Sequence, residues 1–567
     1  MIASPIAEPT TVDKCFAAVE QACLARGLAV ARLPGQHKDW LGVSVTGQQT
    51  SWELDVYCES DALTRLPSIE LRTPGRLLAH VGYQGTVCVS DNQGLSLDPE
   101  RHEEIVAFTV LAAFDLLEKW SADDAANSVE FYNELEGYWL GLPGSVRARS
   151  TVEVDGRDRL IRAFIKTGKR DTQWYFTERD GKALLSFDTK GLDAHRALYM
   201  DLSEPIPPPL APNRLDPEFL DAVRQRMSLD QTELWEQLVG PSKNGPKRLA
   251  LLLSVPRAAG GRSLVGVSFT AKNGSVATKV LITPLTVRRF TPTYMRERGG
   301  ASLRLLDKHI VVLGCGSVGA VLADALAATG VGRLTLVDGD VYSEDNVFRH
   351  IIDPSLVELH KVFGLKFQLE RRYPGVKVQA VADWAQEWLK TANFADVDGI
   401  VFAFGLPSLE RWFARAIRKT AGKRLPMAFT WLEPLDLGGH SVVFFTEGPG
   451  CIDCLYRDDE GAVSLAARTA FLEPNQAVSK NLTGCSSVFV PYGALQSRRT
   501  GLMAAEHLLS SMADAGPSYR YWVGDGTVAR EQGLRTTSWR EEAKRVTLSE
   551  ASQRVFGRPC KRCREAK

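Results

Sequence analysis

The run Gly314-Cys315-Gly316-Ser317-Val318-Gly319, followed by Asp338-Gly339-Asp340, Asn346, Arg349 and Lys361, has the residue types and spacing of a site that holds and attacks a phosphate. The apolar stretch His309 to Leu313 predicts a short strand, and the Ala- and Leu-rich stretch Val318 to Thr329 predicts a helix. Gly314, Gly316 and Gly319 then lie on a strand-to-helix turn, where bare backbone N–H groups and the helix N-terminus favour an anion. A second strand, Arg333 to Val337, ends at Asp338, whose carboxylate is placed to receive ribose hydroxyls.

Glycines followed about twenty residues later by an acid also occur in nicotinamide dehydrogenases. Asn346, Arg349 and Lys361 separate the two chemistries. They add an amide and two fixed cations just beyond the ribose carboxylate, which the charge on a triphosphate requires and a hydride transfer does not. Each alone suits a solvated helix surface; the ordered set is much harder to explain that way and points to a triphosphate. Neither Arg349 nor Lys361 is expected in the core.

The second chemistry lies in the cysteines. Cys451-Ile452-Asp453-Cys454 and Cys560-Lys561-Arg562-Cys563 are two Cys-x-x-Cys knuckles over a hundred residues apart. Four thiolates at this spacing predict a tetrahedral Zn2+ site, the competing reading being unrelated surface thiols. A closed four-sulfur shell leaves no open position, so the zinc is structural. Cys485, in Thr483-Gly484-Cys485-Ser486-Ser487, has two readings: a nucleophile on a small-residue loop that approaches an activated carbonyl, or a buried core thiol. Cys88 follows the alternating segment His80 to Val87, where a strand-end core thiol is the default. Cys15, Cys23 and Cys58 read as packing, and Cys315 as filler in the glycine turn.

The elements that must position these residues are laid out over 567 residues, too many for one core. A helical period over Val12 to Leu28 precedes strand-like Trp40 to Val45 and Trp52 to Tyr57, extended Ile69 to Pro74, a tight loop with His80 and Cys88, and a long helix over Pro99 to Trp120. An acidic helix, Asp123 to Trp139, completes a small α+β unit over residues 1–144. Residues 145–290 read as a mixed spacer domain, with strand-like Val152 to Val154, Trp174 to Phe176, Leu249 to Val255 and Thr278 to Ile282. It contains a stiff connector at Pro205, Pro207, Pro208, Pro209 and Pro212. Residues 291–567 form an α/β nucleotide domain, with Ile400 to Phe404 as a third parallel strand. Lys plus Arg equals Asp plus Glu at 68 each, so no global field selects nucleic acid or an anionic membrane. The apolar runs are strand-length, and Met1 to Thr11 lacks a signal-peptide pattern, so a cytoplasmic protein is expected.

Taken together, Gly314 to Gly319, Asp338, Asn346, Arg349, Lys361, the paired knuckles and Cys485 resemble the adenylating domain shared by ThiF, MoeB and the ubiquitin-activating enzymes. The resemblance covers roughly residues 290–567. It implies a Rossmann-type fold with structural zinc, ribose bound by Asp338, phosphates bound by Arg349 and Lys361, zinc held by the four knuckle cysteines, and Cys485 as an acceptor thiol in a crossover loop. It also implies a homodimer in which Arg296 or Arg298 enters the partner's ATP site. The family's magnesium-binding aspartate is missing after the third strand, where this chain reads Phe404-Gly405-Leu406-Pro407. Asp340 is left to compensate for Mg2+.

The N-terminal unit resembles a ubiquitin-conjugating domain, with Cys88 as its catalytic cysteine and His80 upstream, although a His-Pro-Asn signature is absent. The layout is similar to the bacterial activating–conjugating fusions of CBASS antiphage operons. That resemblance implies a protein substrate with a flexible C-terminal tail, a cGAS-like nucleotidyltransferase, which is adenylated, captured on Cys485, passed to Cys88 and joined to a target lysine. A sulfur-carrier adenylyltransferase, or a zinc-stabilised nucleotide-binding scaffold, is the alternative.

Overall fold

The computed structural model describes residues 10–58, 65–168, 172–178, 191–206, 217–240, 247–272, 275–276, 282–457, 462–481, 488–513 and 516–565. The chain divides into two compact units, Met1–Thr291 and Pro292–Lys567. Cys485 and Pro207, Pro208, Pro209 and Pro212 lie outside the described residues.

In the first unit, the helix Thr11–Ala25 starts at a capping box in which Thr10 and Asp13 satisfy each other's backbone N–H groups. It is followed by an antiparallel meander, Ala29–Leu33, Trp40–Thr46, Ser51–Tyr57 and Ile69–Leu71. The long helix His102–Ala122 lays Val106, Val110 and Leu117 in the same core as Cys15, Val19 and Cys23 and the strand residues Val43, Val45, Leu54 and Val56. The single helix expected over Asp123 to Trp139 is two, Asp124–Asn133 and Leu135–Leu140. The break falls at Glu134, whose N–H turns back to the Phe131 carbonyl.

Between Val146 and Arg289 the described residues contribute the strands of an eight-stranded mixed sheet. Lys247–Pro256 and Arg262–Lys272, distant in the strand order, also pair with each other, so the sheet closes on itself. Trp174, Phe176, Tyr199, Leu252 and Leu285 fill one core of this sheet. Its other apolar residues, including Leu251, Val267 and Phe269, share the core of the N-terminal helices. Trp139 donates its indole N–H to the Gly266 carbonyl at 3.1 Å. The strand expected at Val152 to Val154 is absent; pairing runs over Val146–Ser150 and ends where the Ser150 hydroxyl accepts the Val152 N–H. Of the expected strand Thr278 to Ile282, residues 278–281 lie outside the described residues, and the next strand is Thr283–Arg289.

The second unit is built on a seven-stranded sheet in the spatial order Lys377–Val381, Arg333–Val337, His309–Leu313, Gly399–Phe402, Pro426–Leu432, Gly438–Phe445, Ser518–Val523. The first five strands are parallel and the last two pair antiparallel. The strand order reverses between His309–Leu313 and Gly399–Phe402, and a crevice for a ligand opens at the carboxyl ends of strands around such a point. The helix Ser317–Thr329 leaves that edge and packs on Ala494–Ser511, where Gly501 permits contact; a Cβ there would lie 2.9 Å from the Val318 carbonyl. Among the described residues, no helix is long and apolar enough to cross a membrane.

Candidate functional site

The glycine turn has a steric reason at two of its three positions. Gly314 adopts φ +90°, a left-handed conformation that suits glycine. Gly319 faces the Gly314 carbonyl so closely that a Cβ would sit 1.9 Å from its oxygen. Gly316, the N-cap of Ser317–Thr329, differs: a Cβ there would meet nothing within 4 Å. The turn therefore presents open space at a helix N-terminus, room that fits a phosphate.

Asp338 ends its strand beside this turn. Its Oδ2 accepts the Cys315 N–H at 2.6 Å and its Oδ1 accepts the Asp340 N–H at 2.8 Å. Burial pushes its carboxyl above the usual range against the pull of those N–H groups and of Lys361. Each oxygen keeps a lone pair for a ribose hydroxyl.

Lys361 opens the helix Lys361–Arg372 and, contrary to expectation, is buried. Its Nζ is 2.7 Å from Asp340 Oδ2, and its N–H bonds to the Asp340 carbonyl at 3.0 Å. The carboxylate offsets the desolvation that otherwise keeps lysine out of a core. Asn346 is half-buried and accepts a hydrogen bond from the Ser343 hydroxyl at 3.4 Å. The guanidinium of Arg349 lies 5.2 Å from the ring centre of Tyr492. The Tyr492 hydroxyl is in turn 3.0 Å from Ser317 Oγ, at the first turn of the glycine-loop helix.

Two members of this cluster have no sequence signal. Tyr492 is one. His350 is the other: its Nδ1 accepts the Ile352 N–H at 3.2 Å, so its Nε2 carries the proton and donates to the Cys315 carbonyl at 2.8 Å. Burial, followed in effect by the charges of Lys361 and Arg349, lowers its pKa to about 4. A neutral histidine thus fixes the glycine turn.

At the carboxyl end of Gly399–Phe402 the loop Phe404 to Pro407 carries no acid. The nearby carboxyl of Glu410 is buried and accepts the Gly405 N–H at 3.1 Å, which ties it to the start of its own helix. Burial pushes its pKa up to about 8. Of the two arginines ahead of the first strand, Arg296 is buried and donates to the Gly330 carbonyl at 2.5 Å, whereas Arg298 is exposed.

The four knuckle cysteines converge. Cys451 Sγ is 3.9 Å from Cys454 Sγ and 3.5 Å from Cys560 Sγ, and Cys454 Sγ is 3.9 Å from Cys563 Sγ. Four sulfurs at about 2.3 Å from a tetrahedral zinc stand about 3.8 Å apart, so the shell fits the ion. All four are buried. Between the first two, Asp453 pairs with Arg411 and Arg415, each at 2.8 Å, from the helix Pro407–Thr420. The knuckle is thereby pinned to the nucleotide fold.

In the first unit Cys88 is exposed, not the core thiol its alternation suggests. The isolated bridge Val81↔Val87 turns Val87 inward, and the next residue faces out. His80 and Cys88 both line a cavity of about 500 Å³.

Residues 293–520 match the model of the ThiF family. The C-terminal unit is ThiF-like. The chain is 26% identical over 245 residues to the ATP-dependent ubiquitin transferase-like protein Cap2 of Pseudomonas aeruginosa, covering 42% of each chain. It is 44% identical over 242 residues to the adenylyltransferase and sulfurtransferase MOCS3 of Bos taurus, covering 41% of this chain and 47% of that one. The chain thus spans less than half the length of either curated relative. Among solved structures, that of E. coli MccB with MccA-N7isoASN is 18% identical with a TM-score of 0.28, covering 39% of this chain and 63% of that one. The ThiF-like unit contains the glycine turn, Asp338, Arg349, Lys361 and the first Cys-x-x-Cys knuckle inside the matched residues.

Proposed function

We propose that this chain activates the C-terminal carboxylate of a protein with ATP and conjugates it to an amine. The observation that carries the reading is the cluster of Asp338, Lys361 and Arg349 around an open glycine turn at the switch point of the sheet. A carboxylate is a poor electrophile. Attack of its oxygen on the α-phosphate of ATP gives an acyl adenylate and releases pyrophosphate, while Arg349 and Lys361 stabilise the charge that builds. Asp340, half-exposed beside Lys361, is the residue that would hold Mg2+, which would supply countercharge for the phosphates and needs only one or two protein carboxylates.

Cys485 then attacks the acyl adenylate, forming a thioester and releasing AMP. Transfer to Cys88 exchanges one thioester for another, and a target lysine takes the acyl group as an isopeptide. The relation to Cap2 and the presence of both thiols in one chain favour this sequence, with a cGAS-like nucleotidyltransferase as the activated protein in antiphage defence. In a homodimer, Arg298 is the arginine available for the partner's site, because Arg296 is engaged in its own protomer.

The test is substrate-dependent ATP–pyrophosphate exchange in Cys485→Ala. Exchange should persist while every thioester disappears; loss of exchange in the folded variant overturns the order of steps. A sulfur-carrier adenylyltransferase is the second reading, favoured by the relation to MOCS3. It requires one reducible adduct with substrate and ATP, where conjugation requires two.

A further inference from the structure

The exposed thiol of Cys88 has a charged neighbour that the steps above leave unused. Val81 and Val87 bridge antiparallel, and the Cys88 N–H bonds to the His80 carbonyl at 2.8 Å. His80 and Cys88 are therefore cross-strand partners whose side chains share a face. His80 sits at φ +63°, a conformation that a residue with a side chain keeps only where its surroundings over-determine it.

Those surroundings are two carboxylates. His80 Nδ1 is 2.9 Å from Glu134 Oε2, and His80 Nε2 is 3.3 Å from Glu130 Oε1. The ring packs against Trp120 with centroids 6.0 Å apart. A carboxylate at ion-pair distance from each ring nitrogen favours the imidazolium, which carries an N–H on both, over the neutral ring, which carries one. A single ion bound between the carboxylates would reach only one of those nitrogens. The sulfur of Cys88, then Glu134, hold His80 in its charged form, with a pKa raised to about 10. The other titratable and charged groups around it are Lys119 over Trp120, and Glu136, Tyr138 and Arg257 on the cavity wall.

We propose that Glu130 and Glu134 clamp His80 as a fixed imidazolium beside Cys88 Sγ, where it stabilises the sulfur anion that takes up and later releases the acyl group. This rests on Cys88 being the acceptor in the transfer above. On loading, a lone pair of Cys88 Sγ forms the new C–S bond while the bond to Cys485 breaks and its pair stays on that sulfur. On discharge, the lysine nitrogen forms the C–N bond, the C–S bond breaks with its pair returning to Cys88 Sγ, and the amine proton passes to water. Held as a cation by the facing carboxylates, His80 is an electrostatic positioning residue, not the base.

The experiment is alkylation of the full chain by iodoacetamide, read at each cysteine by mass spectrometry. His80→Asn keeps a residue that tolerates positive φ and removes the cation. Its Cys88 rate at pH 7 should fall about tenfold or more, with the gap closing towards pH 10, where the wild-type imidazolium itself deprotonates. Glu134→Gln, a change on the surface, should leave the rate unchanged at pH 6 and lower it at pH 8.5. An unchanged Cys88 rate in His80→Asn at pH 7, an equal loss at every pH, or a wild-type rate that changes with a chelator overturns the clamp. Failure of the transfer reading shows differently, as a Cys88→Ala enzyme that still conjugates at the wild-type rate while the alkylation results stand.

Discussion

Lys361 and Asp340 form an ion pair whose two members are unequally buried. The lysine side chain is 10% exposed and the aspartate 53%, with Nζ and Oδ2 2.7 Å apart. The ammonium that would meet a triphosphate is thus already compensated, and phosphate oxygens must replace Asp340 as its partner. Because desolvation weighs on the lysine, the pair is asymmetric to mutation.

Lys361→Ala should abolish exchange, by about 100-fold or more, with little loss of stability, since the Asp340 left behind is solvated. Arg349→Ala should do the same. Asp340→Asn should instead destabilise the C-terminal unit by about 1–3 kcal/mol, because it leaves a buried cation without its partner. Exchange rates with thermal melts of the three variants decide this, and normal exchange in either cation variant removes that residue from the site.

The buried, neutral His350 makes the unit sensitive to acid. Its folded pKa of about 4 is below the ordinary value of 6.5, so below pH 6.5 the unfolded chain binds more protons than the folded one. Stability is therefore lost as pH falls from 6.5 through about 4. His507, lowered to about 3 by burial, acts in the same direction. His350→Gln should remove up to about 3 kcal/mol of this pH dependence and raise the KM for ATP by freeing the Cys315 carbonyl. A melting profile between pH 4 and 7 identical to wild type would contradict the assignment.

Glu410 has the opposite sign. With its pKa raised to about 8 by burial, the stability it contributes as a neutral acid is present below pH 4.5 and is lost as pH rises through 8. Glu410→Gln should stabilise the C-terminal unit at pH 9 on the order of 2–4 kcal/mol relative to wild type, with a smaller difference at pH 5. Calorimetry at the two pH values measures it.

Zinc should be present at one ion per chain. Cys451→Ser with Cys560→Ser should release it and lower the melting temperature of the C-terminal unit by about 10 °C or more, since binding at such a site is coupled to folding. Metal analysis of freshly purified protein that finds none removes the site.

Cys88→Ala should leave the Cys485 thioester formed, even accumulated, and abolish the isopeptide product. Non-reducing gels with ATP and substrate resolve the two species. Conjugation at the wild-type rate would return the sulfur-carrier reading.

How much of this was legible in the chain differs residue by residue. Gly314, Gly319, Asp338, Arg349 and Lys361 follow one another within two strands and four helical segments, so their order along the chain reports their order around the turn. The convergence of the four knuckle cysteines was legible because the Cys-x-x-Cys spacing is itself the local geometry of a ligand pair. The strand Lys377–Val381 carries the strand period, Lys377 and Gln379 alternating with Val378 and Ala380, but over five residues that signal is too short to stand out from the flanking chain.

By itself, then, the sequence determined the class of chemistry: which residue types stand at which turn, and hence a nucleotide site and a tetrathiolate shell. Only the tertiary structure decided which groups are charged, buried or free. Ser317 and Tyr492 meet across 175 residues, and His80 meets Glu130 and Glu134 from another element. Arg296 and Arg298 read alike along the chain, yet one is spent on the Gly330 carbonyl and the other faces solvent. The reason is that turn chemistry and helix caps act over a few residues, whereas desolvation and ion pairing depend on what packing brings within a few ångströms, and local sequence does not contain that information.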